Sequence, residues 1–393
     1  MSHDGRAALA AALLLAHLGA APAFAQQVTL SGQIRPRWES RDAVDVDHDG
    51  DGMVSMRTCV GAAVTITPAT RAFVQIQDVR IWGEELSTTD GAAELLDVHQ
   101  AWVEIGAAGG TGLRVGRQEA RYGAERLVGA ADWIQQGRAF DGVRGAIRLG
   151  SAALDGFWFR LADASTPPHE RDAALTGLYA LVPIASHTAE SFLLWNSDVG
   201  TDQGTVGGRW LGRLGVVWWR AEGAAQFGER GRSDVAAHLL SGEVGVDVAR
   251  DVTVSAMYDR LSGDDEPDDG EIRVFDTLFG TNHRLYGFAD LFLNIPAHTA
   301  GRGLGDLALK AAWRPVQPLT MTLDLHRFRA VADEGLAEAH FADEVDFVVA
   351  WRASAGLGLS GGLFWVDPAA GLAEIGRAAD RLLVTYLAID ATF

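Results

Sequence analysis

The stretch LVTYLAIDATF at 383–393 alternates apolar residues with small or polar ones, and a period of two is the signature of a strand. Leu383, Thr385, Leu387, Ile389, Ala391 and Phe393 share one face, while Tyr386, Ala388, Asp390 and Thr392 share the other. One face suits hydrocarbon and the other suits water, so the first question to ask of this chain is whether it lives in a membrane.

A membrane helix needs roughly 20 uninterrupted apolar residues, and beyond residue 25 Arg, Asp or Glu recurs too often to allow one. At the amino end, residues 7–21 form an apolar run rich in Ala and Leu. It follows a short polar start and precedes Ala23, Phe24 and Ala25, a small-x-small cleavage pattern. We read residues 1–25 as a secretory signal peptide for Sec-type export, cleaved before Gln26, and 26–393 as a single domain. An N-terminal anchor is the competing reading, and Gly19 and Pro22 interrupt the run it would need. An exported chain without a membrane helix is periplasmic, secreted or an outer-membrane barrel. Hydrophobic content of 48% and a mean hydropathy of +0.05 are too polar for a helical bundle in lipid, but suit a barrel with a wet interior. With Cys59 as the single cysteine, no internal disulfide can form, and a buried thiol is the simplest role for it.

From Gln27 onward, alternating segments of about ten residues recur between connections that are tight and long by turns. Tight ones fall at 67–70, 107–110, 150–151, 250–251, 314–318 and 353–355; long polar ones fall at 42–52, 83–94, 161–172, 263–303 and 367–380. Such alternation predicts an all-β fold: a transmembrane antiparallel up-and-down β-barrel of about 18 strands, with short periplasmic turns and long extracellular loops. A soluble solenoid or sandwich would need polar outward faces, and these are apolar. The location that follows is the outer membrane of a Gram-negative bacterium, with membrane lipid and the barrel-assembly machinery as partners.

Facing follows from cost. An Arg or Lys toward lipid at mid-membrane costs about 2–4 kcal/mol, and one in the lumen costs little. In the first strand Leu30, Gly32, Ile34 and Trp38 then face lipid, and Gln33, Arg35, Arg37 and Glu39 face inward. The same argument turns Arg57, Arg144, Arg148, Arg209, Arg213, Arg220, Lys310, Arg314 and Arg352 inward. Their outward neighbours include Val143, Ile147, Trp210, Leu214, Trp219, Leu309, Trp313, Phe347 and Trp351, several of them placed for an interfacial girdle. Glu222, Glu243, Asp247, Asp324, Asp346 and Asp390 share the inner faces, so cross-strand ion pairing is a structural explanation for every one of these arginines.

The formal charge of -19 argues against nucleic acid as a partner. Much of that excess sits in connections, at residues 42–51, 84–85 and 264–271, so acid outside and arginine inside is a separation of charge. Lys310 is the only lysine among the 33 basic residues. A GC-rich genome explains this as well as function does, although guanidinium is the planar fork that holds carboxylate or phosphate at two points.

Two local patterns compete with a simple barrel. Asp45, Asp47, Asp49 and Asp51 with Gly50 resemble the opening of a calcium loop, yet Met56 stands where the closing glutamate belongs. Either a flexible acidic loop or an external Ca2+ site fits; no other cofactor is implied. The run GLGLSGG at 356–362 spells both a dinucleotide fingerprint and a nucleophile elbow without the strand-turn-helix setting of either, so the glycines and Ser360 read as the inner face of a strand. The histidines lack zinc-ligand spacing.

Two blocks carry a family resemblance. LRVGRQEARYGAERLVG at 113–129, continued by Asp132, Trp133 and the run at 136–144, resembles the signature block of alginate-export outer-membrane porins. TNHRLYGFAD at 281–290 is similar to that family's late loop. The resemblance implies an arginine-lined pore for an anionic polysaccharide, partly closed by inner and outer loops. Matching positions are Arg114, Arg117, Arg121, Arg126, Arg138 and Arg144 with Glu119, Asp132 and Asp141. Residues 121–138 are long for a plain loop and mix Trp, Arg and Asp, which predicts a segment folded inward as a constriction. The expectation is a passive channel for anionic or sugar-like solutes, without catalysis. Its rivals are a barrel enzyme acting on outer-membrane lipid, which needs Ser360 beside a histidine such as His326, and a plugged ligand-binding or adhesive barrel.

Overall fold

The structure is a computed structural model that describes residues 27–43, 52–84, 96–107, 110–164, 171–377 and 380–393. The signal-peptide segment and the acidic run holding Asp45, Asp47, Asp49 and Asp51 lie outside the described residues.

The first half of the chain supplies β1 (Gln27–Ala43), β2 (Met53–Thr67), β3 (Thr70–Ile81), β4 (Asp97–Gly106), β5 (Gly112–Gln118), β6 (Phe140–Leu149), β7 (Ala152–Ala164), β8 (Arg171–Ile184) and β9 (His187–Asp198). The second half supplies β10 (Thr201–Leu214), β11 (Val217–Arg230), β12 (Ser233–Ala249), β13 (Val252–Leu261), β14 (Glu271–Ile272), β15 (Leu304–Trp313), β16 (Leu319–Arg329), β17 (His340–Ser354), β18 (Leu357–Pro368) and β19 (Leu382–Thr392). β14 is a two-residue segment paired in parallel with the outer end of β12. The other 18 strands form a closed antiparallel barrel, each paired with its neighbours in sequence, and β19 returns to β1. Closure is a backbone event: the Gly32 amide donates to the Phe393 carbonyl at 2.8 Å, and the Phe393 amide donates back at 3.1 Å. In lipid an unpaired strand edge leaves amides without water, so only a closed ring is tolerated. No helix among the described residues is long and apolar enough to cross a membrane.

Side-chain parity follows the cost argument. Leu30, Ile34, Trp38, Trp210, Leu309, Trp313 and Trp351 are exposed on the outer wall, whereas Arg37 and Arg57 are buried on the inner one. Cys59 is buried inward, its thiol 3.7 Å from the Gln77 side-chain oxygen.

Two expectations need correction. Strict short-long alternation fails on the exterior side, where β9 turns into β10 through Val199 and Gly200, and β11 into β12 through Gly231 and Arg232. Nor is the inner wall uniformly wet. Phe159, Leu175, Phe328 and Phe341 point inward and are fully buried, because residues 119–139 and 262–303 fold into the lumen and cover them. Leu127, Val128, Phe275, Tyr286, Phe292 and Ile295 come from those two segments, so the hydrophobic core lies inside the barrel.

Candidate functional site

The inner wall provides the anchors for the first inward segment. The Arg35 Nε donates to the Gln135 side-chain oxygen at 3.0 Å, and its Nη1 to the Asp132 carbonyl at 2.8 Å. Arg37 donates to the Trp133 carbonyl at 2.5 Å and lies 4.1 Å over the Trp133 ring. Arg57 pairs with the Asp132 carboxylate at 3.3 Å. Desolvation pushes the Asp132 carboxyl up, but the Arg57 and Arg121 guanidinium groups outweigh it and hold Asp132 below the usual carboxylate range. Glu119 is held low in the same way: burial raises it, and hydrogen bonding from His99 together with the Arg121 charge more than offsets this.

The second inward segment docks on the first. Amides and carbonyls of 127–129 and 279–281 interleave, with Gly129 donating to the Phe279 carbonyl at 2.9 Å and Phe279 to the Leu127 carbonyl at 2.9 Å. Arg138 donates to the carbonyls of Gly129 and Phe279, and the Trp133 and His283 rings stack at 4.1 Å. Arg126 is the hub, bound to Asp259 at 2.5 Å, to the Tyr286 hydroxyl at 2.5 Å and to Glu222 at 3.2 Å. Farther round the wall, Glu344 accepts from the Ala289 amide at 2.8 Å and Asp346 from the Phe288 amide at 3.0 Å. Gly287 makes that approach possible: its φ is +82°, and a Cβ there would stand 2.5 Å from a Glu344 oxygen.

Toward the periplasm the lumen opens. A cavity of about 400 Å3 lies against the tip of the inward segments, bordered by Arg126, Arg209, Arg220, Arg284 and Lys310 with Glu222 and Glu243. Arg220, Glu243 and Lys310 also border a wider space of about 840 Å3, together with Arg213, Asp247, Arg314 and Asp324. Arg314 continues to a mouth of about 660 Å3 beside Arg352, Ser360 and Asp390.

At two ion pairs in these cavities the cation projects and the carboxylate recedes. Arg284 is 55% exposed while its partner Glu125 is 9% exposed, and Arg220 is 53% exposed while Glu243 is 12%. Other cations that line the same cavities are also paired: Arg209 meets Glu190 at 2.6 Å, Arg213 meets Asp247 at 2.7 Å, and Lys310 meets Asp324 at 3.1 Å. On the opposite wall Arg114 binds Glu104 at 2.6 Å and lies 3.9 Å over Trp102, while Arg144 and Arg148 share Asp155.

Three of the family-derived positions fall elsewhere than expected. Arg117 and Asp141 pair at 2.9 Å in one register row, on the same parity as Val115, Val143 and the outward Trp158. They therefore sit on the outer wall near the exterior rim, where a charge costs only about 0–1 kcal/mol. Arg138 is spent on backbone carbonyls between the segments. Conversely, Asp259, Asp306, Glu344, Glu125 and Arg284 were absent from the expected set. Glu125 lay within the first family block and Arg284 within the second, so these two had a visible signal. Ser360 and His326 are separated by six strand positions, about 20 Å, through the partner row of Ser360 with Ala350 and Thr320. His326 is engaged by Asp306 at 2.9 Å.

A closed barrel with an apolar outer wall and a lumen narrowed by inward segments defines an outer-membrane, porin-like channel protein. The sequence matches the family described as alginate export over residues 26–180 and 195–366, and the chain belongs to that family. Solved structures share the fold. OpdO of Pseudomonas aeruginosa is 13% identical, covering 93% of this chain and 97% of that chain with a TM-score of 0.67. OccAB4 of Acinetobacter baumannii is 10% identical, with coverages of 93% and 98% and a TM-score of 0.67. OccK11 (OpdR) of Pseudomonas aeruginosa is 12% identical, with coverages of 93% and 96% and a TM-score of 0.65. No curated protein matches the sequence.

Proposed function

We propose that this protein is a passive channel through which carboxylate-bearing, sugar-like solutes cross the outer membrane, an acidic polysaccharide of the alginate type among them. The supporting observation is the orientation of two ion pairs along the cavities: Arg220 and Arg284 present guanidinium groups to water in front of less exposed carboxylates, Glu243 on the wall and Glu125 on the first inward segment. A permeating anion meets cations first, and a cation meets the same fork as a barrier. The guanidinium fork matches a uronate carboxylate at two points. No step of bond making is needed. We also assign residues 1–25 to export, from their apolar run and small-x-small end.

Planar-bilayer recording under a salt gradient tests this reading. The expected reversal potential shows anion preference, and uronate oligomers added on the periplasmic side reduce the current. A unit charge about 10 Å from the ion, at an effective dielectric of about 20, contributes about 1.7 kcal/mol. Arg284→Glu or Arg220→Glu should therefore lower the anion-to-cation permeability ratio by at least about tenfold. A cation-selective wild type would overturn the arginine argument, and absence of conductance would overturn the channel.

A further inference from the structure

The lipid-facing wall between β9 and β13 holds an apolar groove of about 730 Å3. Gly208, Gly223, Gly242 and Ala221 form its floor, and Trp210, Leu240 and Tyr258 stand around it, all three exposed on the outer wall. Register places Trp210, Ala221, Gly242 and Tyr258 in one row, with Gly208, Gly223, Leu240 and Arg260 in the next. Tyr258 lies near the exterior end of β13 and Trp210 near the periplasmic end of β10, so with strands tilted in a barrel the groove descends obliquely through the membrane. A Cβ on Gly242 would meet nothing within 4 Å, and one on Gly223 nothing nearer than 3.8 Å. Neither glycine has a positive φ, so neither backbone nor packing demands it. What the two glycines preserve is the space itself.

At the head of this groove stands Arg260, two residues and about 7 Å beyond Tyr258 toward the exterior and one residue short of the exterior end of β13. Its Nη1 lies 2.8 Å from the His238 Nε2, and no carboxylate among the described residues pairs with it. Other rim arginines differ: Arg117 has Asp141, Arg327 has Asp343, and Arg329 has Asp333 at 3.8 Å. The Arg260 row continues through Gly305 to Arg329, two strand spacings or about 10 Å away. The Arg329 Cγ lies 3.0 Å from where a Gly305 Cβ would stand, so its stem covers the glycine.

We propose that this face binds a phosphorylated lipid of the outer leaflet, one acyl chain in the groove and its phosphate on Arg260, with Arg329 as a second contact. The groove is continuous with the membrane-facing wall, and arginine matches phosphate by charge and by its bidentate fork. The site does not depend on what passes through the lumen.

The test is native mass spectrometry of the purified full chain in detergent, titrated with bisphosphorylated lipid A, with the same glycolipid lacking phosphate, and with inorganic phosphate as competitor. Wild type should retain one phosphorylated lipid. Arg260→Gln should weaken retention at least tenfold, Arg260→Lys should recover part of it, and Gly242→Leu, which fills the groove at a rim-distant position, should weaken it as well. Heat-modifiable gel mobility confirms that each variant is a folded barrel. Equal retention by all variants, equal binding of the phosphate-free glycolipid, or complete displacement by millimolar phosphate would overturn the proposal.

Discussion

Arg126 is buried and draws Asp259, Glu222 and Tyr286 to one guanidinium group, so it joins the first inward segment to strands β11 and β13 and to the second segment. Removing the cation leaves Asp259 and Glu222 buried without their partner, a change that costs about 3–5 kcal/mol. Arg126→Ala should lower the unfolding free energy by that amount in denaturant titration, whereas Arg284→Ala, whose guanidinium is half-exposed, should lower it by about 1 kcal/mol or less. The two arginines look alike in sequence. Parity could say that an arginine avoids lipid, as it did for Arg35, Arg57 and Lys310, but for a connecting residue no parity exists. Arg117 and Asp141 show the same boundary from the other side: near the rim the lipid cost vanishes, and the rule loses its force.

At the scale of elements, residues 119–139 illustrate a segment whose length and composition announced an inward fold while its anchors stayed hidden. Gln33, Gln135 and Ser55 matter there as much as arginine does, because they close the hydrogen-bond network around Arg35 and Arg57. Asp132 and Glu119 carry lowered pKa values in place. A lowered carboxylate contributes its stabilisation fully above its unfolded value, near pH 4, and loses it as pH falls through the folded value. Acid below about pH 4 should therefore loosen this segment first, seen as increased current noise and faster proteolysis within 119–139. Asp132→Asn should reproduce part of that loosening at pH 7; an unchanged proteolysis pattern would exclude Asp132 as an anchor.

For the whole molecule, the 18-stranded wall and the two segments inside it divide the labour. The wall is closed by main-chain bonds down to the Phe393–Gly32 pair, and the segments decide how much of the lumen stays open. Replacing residues 262–303 with a short turn should raise single-channel conductance several-fold while the barrel remains folded by heat-modifiable mobility. It should also lower stability, because Phe328 and Phe341, whose rings pack on Phe292 of that segment, would then face lumen water, each large apolar side chain losing about 1.5–3 kcal/mol of burial. An unchanged conductance would mean that the narrow point lies elsewhere.

The period of two, the absence of a helix-length apolar run and the cost of charge in hydrocarbon were enough to determine a membrane barrel, its strand number and the inward parity of Arg57, Arg209 or Lys310. These are local properties of a strand in a known solvent, readable a few residues at a time. Tertiary structure alone decided that Phe159 and Leu175 would be core, that Arg126 would be a buried hub, and that Glu344 and Asp346 would hold the backbone at 288–289. Those outcomes depend on where segments far apart in sequence come to rest inside the ring, and no periodicity records a contact between residues 126 and 259.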